Sequence, residues 1–134
     1  MTATVTYNAN LRTTCLHLQS GSIFETDAPS DNKGQGARFS PTDLIATGLG
    51  ACLITTMGIK AESMDLKIDG AKVDVTKVMM SEPRRIGKII IAVTMPALNL
   101  DEKMKEVLER VGRTCPVERS LHPDMELDIS FTWL

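Results

Sequence analysis

Two of the three cysteines stand where a thiol can do more than pack. Cys52 lies near the middle of FSPTDLIATGLGACLITTMGI, residues 39–59, a stretch with no charge between Asp43 and Lys60. Cys115 directly precedes Pro116, which suits the first turn of a helix. A thiol at that position points at unpaired N–H groups and the positive end of the helix dipole, an arrangement that favours thiolate. Thiolate is the nucleophilic form, so the chemistry on offer is attack on an oxidant or exchange with another sulfur. The plainer reading stands beside it, because free cysteine is among the most buried residue types and often only fills space. Cys15, between Thr14 and Leu16 in a strand pattern, reads as packing.

Other chemistries find no support in the spacing. No two cysteines form C-x-x-C, so a thioredoxin motif is absent. The two histidines, His17 and His122, fall singly and away from any cysteine pair, which leaves no clustered ligands for a metal. His122, in LHPD, reads as a turn residue. There is no G-x-S-x-G, no P-loop and no G-x-G-x-x-G. KGQGAR carries glycines but lacks the strand-to-helix context of a phosphate cradle. No cofactor is expected.

The elements that must position these thiols follow from the pattern. Thr2–Tyr7, Leu11–Gln19 and Ser22–Asp27 read as three strands, with Ser20-Gly21 as a hairpin turn. Residues 29–38 are polar and glycine-bearing, hence a loop. Ser40-Pro41-Thr42-Asp43 is a helix start, with Ser40 accepting from the Asp43 N–H and Asp43 reaching back to the cap. The helix is expected to run to about Ser63 and, being apolar almost all round, to be buried on most sides. Gly48, Ala51, Cys52, Thr55 and Thr56 are small and recur at helical spacing. They admit close packing within one domain or a helix pair at a dimer contact.

Leu66–Met80 alternates, with Gly70 as a turn or bulge, and Ile86–Met95 is a more apolar strand. The turn between them is Glu82-Pro83-Arg84-Arg85. Asn99–Gly112 reads as an amphipathic helix capped by Asn99, with Met104, Val107, Leu108 and Val111 inward and Gly112 at its end. A short helical piece from Cys115 to about Leu121 and a strand over Glu126–Trp133 complete an α+β order with mainly antiparallel pairing.

The totals suit one domain, residues 1–134. Hydrophobic residues make up 43% and charged residues 24%, while aromatics are only 4%, so aliphatic side chains and methionine must fill the core. A formal charge of −2 with scattered basic residues gives no reason to expect nucleic acid or a membrane as partner. The start MTATVTYNAN has neither the basic nor the apolar region of a signal peptide. The run from Leu44 to Ile59 is short for a bilayer. With an odd cysteine count, a cytoplasmic setting with reduced thiols is the expectation.

SPTDLIATGLGACL, followed by CPVERSL and a final strand, resembles the OsmC/Ohr family of osmotically inducible and organic hydroperoxide resistance proteins. The P-x-x-L-x-x-x-x-x-x-A-C helix motif and the later C-P-V carry the resemblance. It implies an intertwined homodimer of curved antiparallel sheets wrapped around long buried central helices, with sites at the dimer interface. It further implies that Cys52 attacks a hydroperoxide, that Cys115 resolves the product as a disulfide, and that a dithiol reductant of lipoyl type or similar restores the protein. The family's peroxidases pair a glutamate with an arginine that stabilises the thiolate. Thr42 occupies the glutamate's place here, and Arg12 and Arg38 are the two candidates for the arginine. Three readings follow: a thiol-dependent peroxidase for organic hydroperoxides, a module that binds an apolar small molecule or senses redox state without turnover, and a structural Cys52–Cys115 disulfide.

Overall fold

The computed structural model describes residues 1–134. They form two compact units, residues 1–45 and 46–134, each with its own three-stranded sheet.

In the first unit β1 (Ala3–Tyr7), β2 (Arg12–His17) and β3 (Ile23–Asp27) form an antiparallel sheet in sequence order. The β2–β3 turn closes where Ser20-Gly21 predicts it. The Gly21 N–H donates to the His17 carbonyl at 2.8 Å, and Gly21 takes φ of 75°, where a Cβ is disfavoured. Val5, Cys15 and Phe24 stand opposite one another across the three strands and so share a face. Cys15 is buried there, as expected of a packing residue, whereas Val5 and Phe24 remain exposed. Arg12 stands directly opposite Asp27 on the other face. The loop that follows holds a single 3₁₀ turn, Ser30–Asn32.

Helix α1 (Pro41–Ser63) begins in the first unit and continues into the second. Its start is the predicted capping box. The Asp43 N–H donates to Ser40 Oγ at 3.0 Å, and the Ser40 N–H donates to Asp43 Oδ2 at 2.9 Å.

In the second unit Ala46, Leu49, Leu53, Met57 and Ala61 of α1 form one buried stripe at helical spacing. They pack with Ile86, Ile89, Ile91, Val93 and Met95 of β5 (Arg85–Met95) and with Leu108 of α2 (Glu102–Gly112). Burial on most sides is therefore corrected. Only this stripe, with Gly50 beside it, is buried, and Ile45 and Ile59 stay 47% and 66% exposed. The helix is long and apolar enough to cross a membrane by length and composition, contrary to the reading from its uncharged core alone. Its packed stripe is what a core helix shows.

The second sheet has the order β4 (Lys72–Met80), β5, β6 (Glu126–Trp133). β4 and β5 are antiparallel, with a register shift at Val78/Met79. β5 and β6 are parallel, the one exception to the mainly antiparallel pairing expected, since the other three pairings are antiparallel. The reason is the connection: α2 and α3 (Pro116–Ser120) lie between the two strands and carry the chain back to its starting end. Residues 66–71 are not strand; Gly70 takes φ of 86° and turns the chain. Helix α2 is capped by Asp101, which accepts from the Met104 N–H at 2.8 Å, and not by Asn99. Gly112 is the last helical residue, but it is not a left-handed stop: the C-cap is Arg113, in right-handed helical conformation. A Cβ at Gly112 would lie 2.9 Å from Met57 Cγ, so the glycine lets α2 approach α1.

Gly50 serves the same purpose against β4, since a Cβ would fall 2.8 Å from Val75 Cγ2 and 3.3 Å from Val73 Cγ1. Gly50→Leu is expected to destabilise by about 1–3 kcal/mol through overpacking, read as a lowered Tm. An unchanged Tm would show that α1 is not held this closely to the sheet.

Candidate thiol site

Both candidate cysteines belong to the second unit, and that unit brings them together. Cys52 sits one position before Leu53, on the flank of the buried stripe, and is partly exposed. Thr56 Oγ1 donates to the Cys52 carbonyl at 2.7 Å, one turn on. Cys115 is fully buried at the N-cap of α3, in the same core cluster against which Cys52 packs. Neither thiol is in a disulfide.

The electrostatics of Cys115 overturn one expectation. The N–H groups of Glu118 and Val117 do favour its ionised form, as the helix start predicts. Burial outweighs them and pushes the Cys115 thiol above its ordinary value, and the nearby Cys52 thiol adds to the rise by hydrogen bonding and by charge. Cys115 is thus held as a thiol. The dipole of a single helical turn is too short to offset the loss of water around the sulfur.

The two candidate arginines belong to the first unit. Arg12 donates from Nε to Asp27 Oδ1 at 2.7 Å and from Nη2 to Asp27 Oδ2 at 2.9 Å, a two-pronged ion pair. Arg38 is looser: its Nε meets Glu25 Oε1 at 3.3 Å, its Nη1 donates to the Ala37 carbonyl, and its side chain is 47% exposed. Arg38 also lines an open cleft of about 380 Å³ with Gly36, Ala37, Phe39 and Asp43. His122 is the turn residue expected, its Nδ1 accepting from the Asp124 N–H. No group of three or more metal-ligating side chains is present.

The profile of the family described as OsmC-like protein matches residues 34–130. The chain belongs to the OsmC-like family. Among solved structures, a protein of Psychrobacter arcticus 273-4 named for osmotic stress induction and a detoxification response is 45% identical. The match covers 98% of this chain and 96% of that one, at a TM-score of 0.94. The Legionella pneumophila organic hydroperoxide resistance protein OsmC shares the fold at 16% identity, over 97% and 94% of the two chains, with a TM-score of 0.72. The organic hydroperoxide resistance protein OhrB of Bacillus subtilis does so at 17% identity, over 98% of each chain, with a TM-score of 0.69. No curated sequence gives a significant match.

For this OsmC-like protein the thiol geometry has a direct chemical consequence. Alkylating reagents attack the thiolate, so a raised pKa and full burial both protect Cys115. At pH 7–8, iodoacetamide is expected to modify Cys52 at least ~10-fold faster than Cys115, with the difference vanishing in denaturant. Peptide mass mapping over time checks this. Equal rates in the native protein would contradict the asymmetry.

One residue of the first unit escapes sequence reasoning altogether. Asp27 is fully buried, and it is the carboxylate that Arg12 meets. The only sequence signal is its position at the end of a strand, in register with an arginine at the start of the preceding one.

Proposed function

We propose that this OsmC-like protein is a thiol-dependent peroxidase for organic hydroperoxides. The observation that supports it most is the asymmetric pair: a partly exposed Cys52 beside a fully buried Cys115 that is held protonated. The exposed sulfur suits attack on a substrate, and the buried one suits a response to what forms there.

The thiolate of Cys52 attacks the distal oxygen of the hydroperoxide. The O–O bond breaks, Cys52 becomes a sulfenic acid, and the alkoxide leaves as an alcohol after taking a proton. Cys115 then attacks the Cys52 sulfur. The hydroxyl departs as water with the proton that Cys115 carried, and the two sulfurs end as a disulfide. A dithiol of lipoyl type or similar reduces that disulfide by two exchange steps and is itself oxidised. Arg12 and Arg38 are the guanidinium groups proposed to stabilise negative charge in the first step. The reaction belongs in the cytoplasm, where dithiol reductants are maintained.

We place this chemistry in a homodimer of single OsmC-like domains. Ile45, Gly48, Cys52, Thr55 and Ile59 lie three or four residues apart on α1, outside its buried stripe. A Cβ added at Gly48 would meet nothing within 4 Å, which leaves that position open to another backbone. Sedimentation of the purified protein is expected to give twice the chain mass of 14.7 kDa. A monomer at micromolar concentration would contradict the dimer.

The peroxidase reading is tested by incubating the protein with a dithiol and cumene or tert-butyl hydroperoxide. Consumption well above that of the dithiol alone is expected. Equality of the two rates would overturn the reading. It would favour a module that binds an apolar small molecule, in which ligand binding survives loss of the Cys52 thiol.

A further inference from the structure

The two thiols of the second unit form a ligand set that peroxide chemistry does not use. Cys52 is carried by α1 and Cys115 by the N-cap of α3, and both belong to the same core. They share a hydrogen bond, so the two sulfurs lie side by side on separate elements. No third metal-ligating side chain joins them, since the protein holds no group of three or more Cys, His, Asp and Glu that could bind a metal ion. Cys15 belongs to the first unit.

That count decides what the pair can hold. Zinc takes four protein ligands in a closed site and three in an open one, so two sulfurs leave it short. A trivalent arsenic atom with one carbon substituent has two bonds left, and two thiols fill them. Arsenic in this state is pyramidal and holds its sulfurs close together on one side, as a hydrogen-bonded thiol pair already stands. A two-coordinate ion such as mercury(II) sets its sulfurs on opposite sides and requires them to part. The arsenic product is also uncharged, which suits a site where Cys115 has no exposed surface.

The protonated state of Cys115 does not oppose this reaction. In water an arsenical of this class is a dihydroxide, RAs(OH)2. The partly exposed Cys52 reacts first: an As–S bond forms, an As–O bond breaks, and the hydroxide leaves with the thiol proton as water. Cys115 closes the bridge in the same way, and a second water departs. No electron is transferred, and arsenic stays trivalent. Alkylation needs the thiolate, so holding Cys115 as a thiol slows iodoacetamide but not a condensation in which its proton leaves within water.

We infer that Cys52 and Cys115 form a chelating site for monosubstituted trivalent arsenicals, bound as a neutral bridge between the two sulfurs. The site requires only that the sulfurs be adjacent, and no turnover of peroxide. Once the first bond has formed the second is intramolecular, which raises affinity about 100- to 10,000-fold over that of one thiol.

Phenylarsine oxide, added to the reduced full chain after removal of the reductant, tests this. Mass spectrometry of the intact chain is expected to show one phenylarsenic group gained and two hydrogens lost. Dithiothreitol is expected to strip the adduct at a concentration where the monothiol β-mercaptoethanol does not. Cys52→Ser and Cys115→Ser are each expected to weaken binding about 100-fold or more. Circular dichroism checks that the variants fold, and Cys115→Ala serves if a buried serine hydroxyl unfolds the chain. Wild-type affinity in a folded variant at either position overturns the proposal. So does an adduct that both reductants remove equally well, or a wild type that takes up no arsenic. Peroxide consumption is judged separately. A protein that binds phenylarsine oxide and consumes no hydroperoxide keeps this site and loses the peroxidase reading, and the opposite pair of results does the reverse.

Discussion

Cys52→Ser is expected to abolish dithiol-dependent peroxidase activity, leaving only the consumption that the dithiol gives by itself. The serine hydroxyl has nearly the shape of the thiol, so the fold should persist. What disappears is the nucleophile: a hydroxyl does not ionise near neutral pH and its oxygen does not accept the second peroxide oxygen as sulfur does. Loss of a covalent nucleophile typically removes several orders of magnitude in rate, and here no second group can take over. Cys115 is fully buried and held protonated, and Cys15 is buried in the other unit. Steady-state loss of hydroperoxide checks the expectation. Activity above the dithiol background in Cys52→Ser would mean that a different group reacts with peroxide, and the assignment of Cys52 would fall.

Cys115→Ser is expected to behave differently, allowing one rapid turnover and then stalling. The first step needs only Cys52, so a stoichiometric burst of alcohol should survive. Without the second thiol the sulfenic acid has no partner in the chain, and excess peroxide carries it to sulfinic acid. Mass spectrometry should show a gain of about 16 Da for each oxygen added to the Cys52 peptide, where the wild type instead loses about 2 Da on forming the disulfide. Sustained turnover by Cys115→Ser, with wild-type resistance to overoxidation, would show that the reductant attacks the sulfenic acid directly. Cys115 already lies beside Cys52 in the core, so that outcome would separate the role of the second thiol from its position.

The contrast between the two variants carries more information than either alone. A structural disulfide predicts that both substitutions lower stability to a similar degree and that neither changes peroxide consumption. A binding module predicts that both leave ligand affinity in place. Only the peroxidase reading predicts one variant with no chemistry and another with a single round of it.

Much of the local structure was legible in the chain itself. The capping box at Ser40 and Asp43 was readable because a cap depends on residues three apart. The Ser20-Gly21 turn was readable because only glycine takes its φ freely. The final strand, Glu126–Trp133, falls where the alternation places it. The two thiols were legible as residue types at a spacing, and the resemblance to the OsmC/Ohr family supplied their pairing. The Asp101 cap was missed in favour of Asn99 because both residue types suit an N-cap and the two stand only two positions apart. Local pattern does not decide between them.

Tertiary structure decided the rest. Parallel pairing of β6 with β5 depends on the path of the two helices between them, and no periodicity in either strand records its direction. Which side of α1 is buried depends on what packs there, because an apolar helix carries no polar face to declare its orientation. The protonation of Cys115 was misjudged from sequence for a related reason. A helix start is a local feature and favours the thiolate, whereas burial is a property of the assembled core and here outweighs it. The Arg12–Asp27 pair is likewise a product of strand register, which joins residues that nothing nearby in the chain connects. Residue types set the chemistry available to this protein, and packing set which sulfur stays buried as a thiol and which carboxylate holds the arginine. Short-range interactions can be read along the chain, while solvent exclusion and charge pairing act through space.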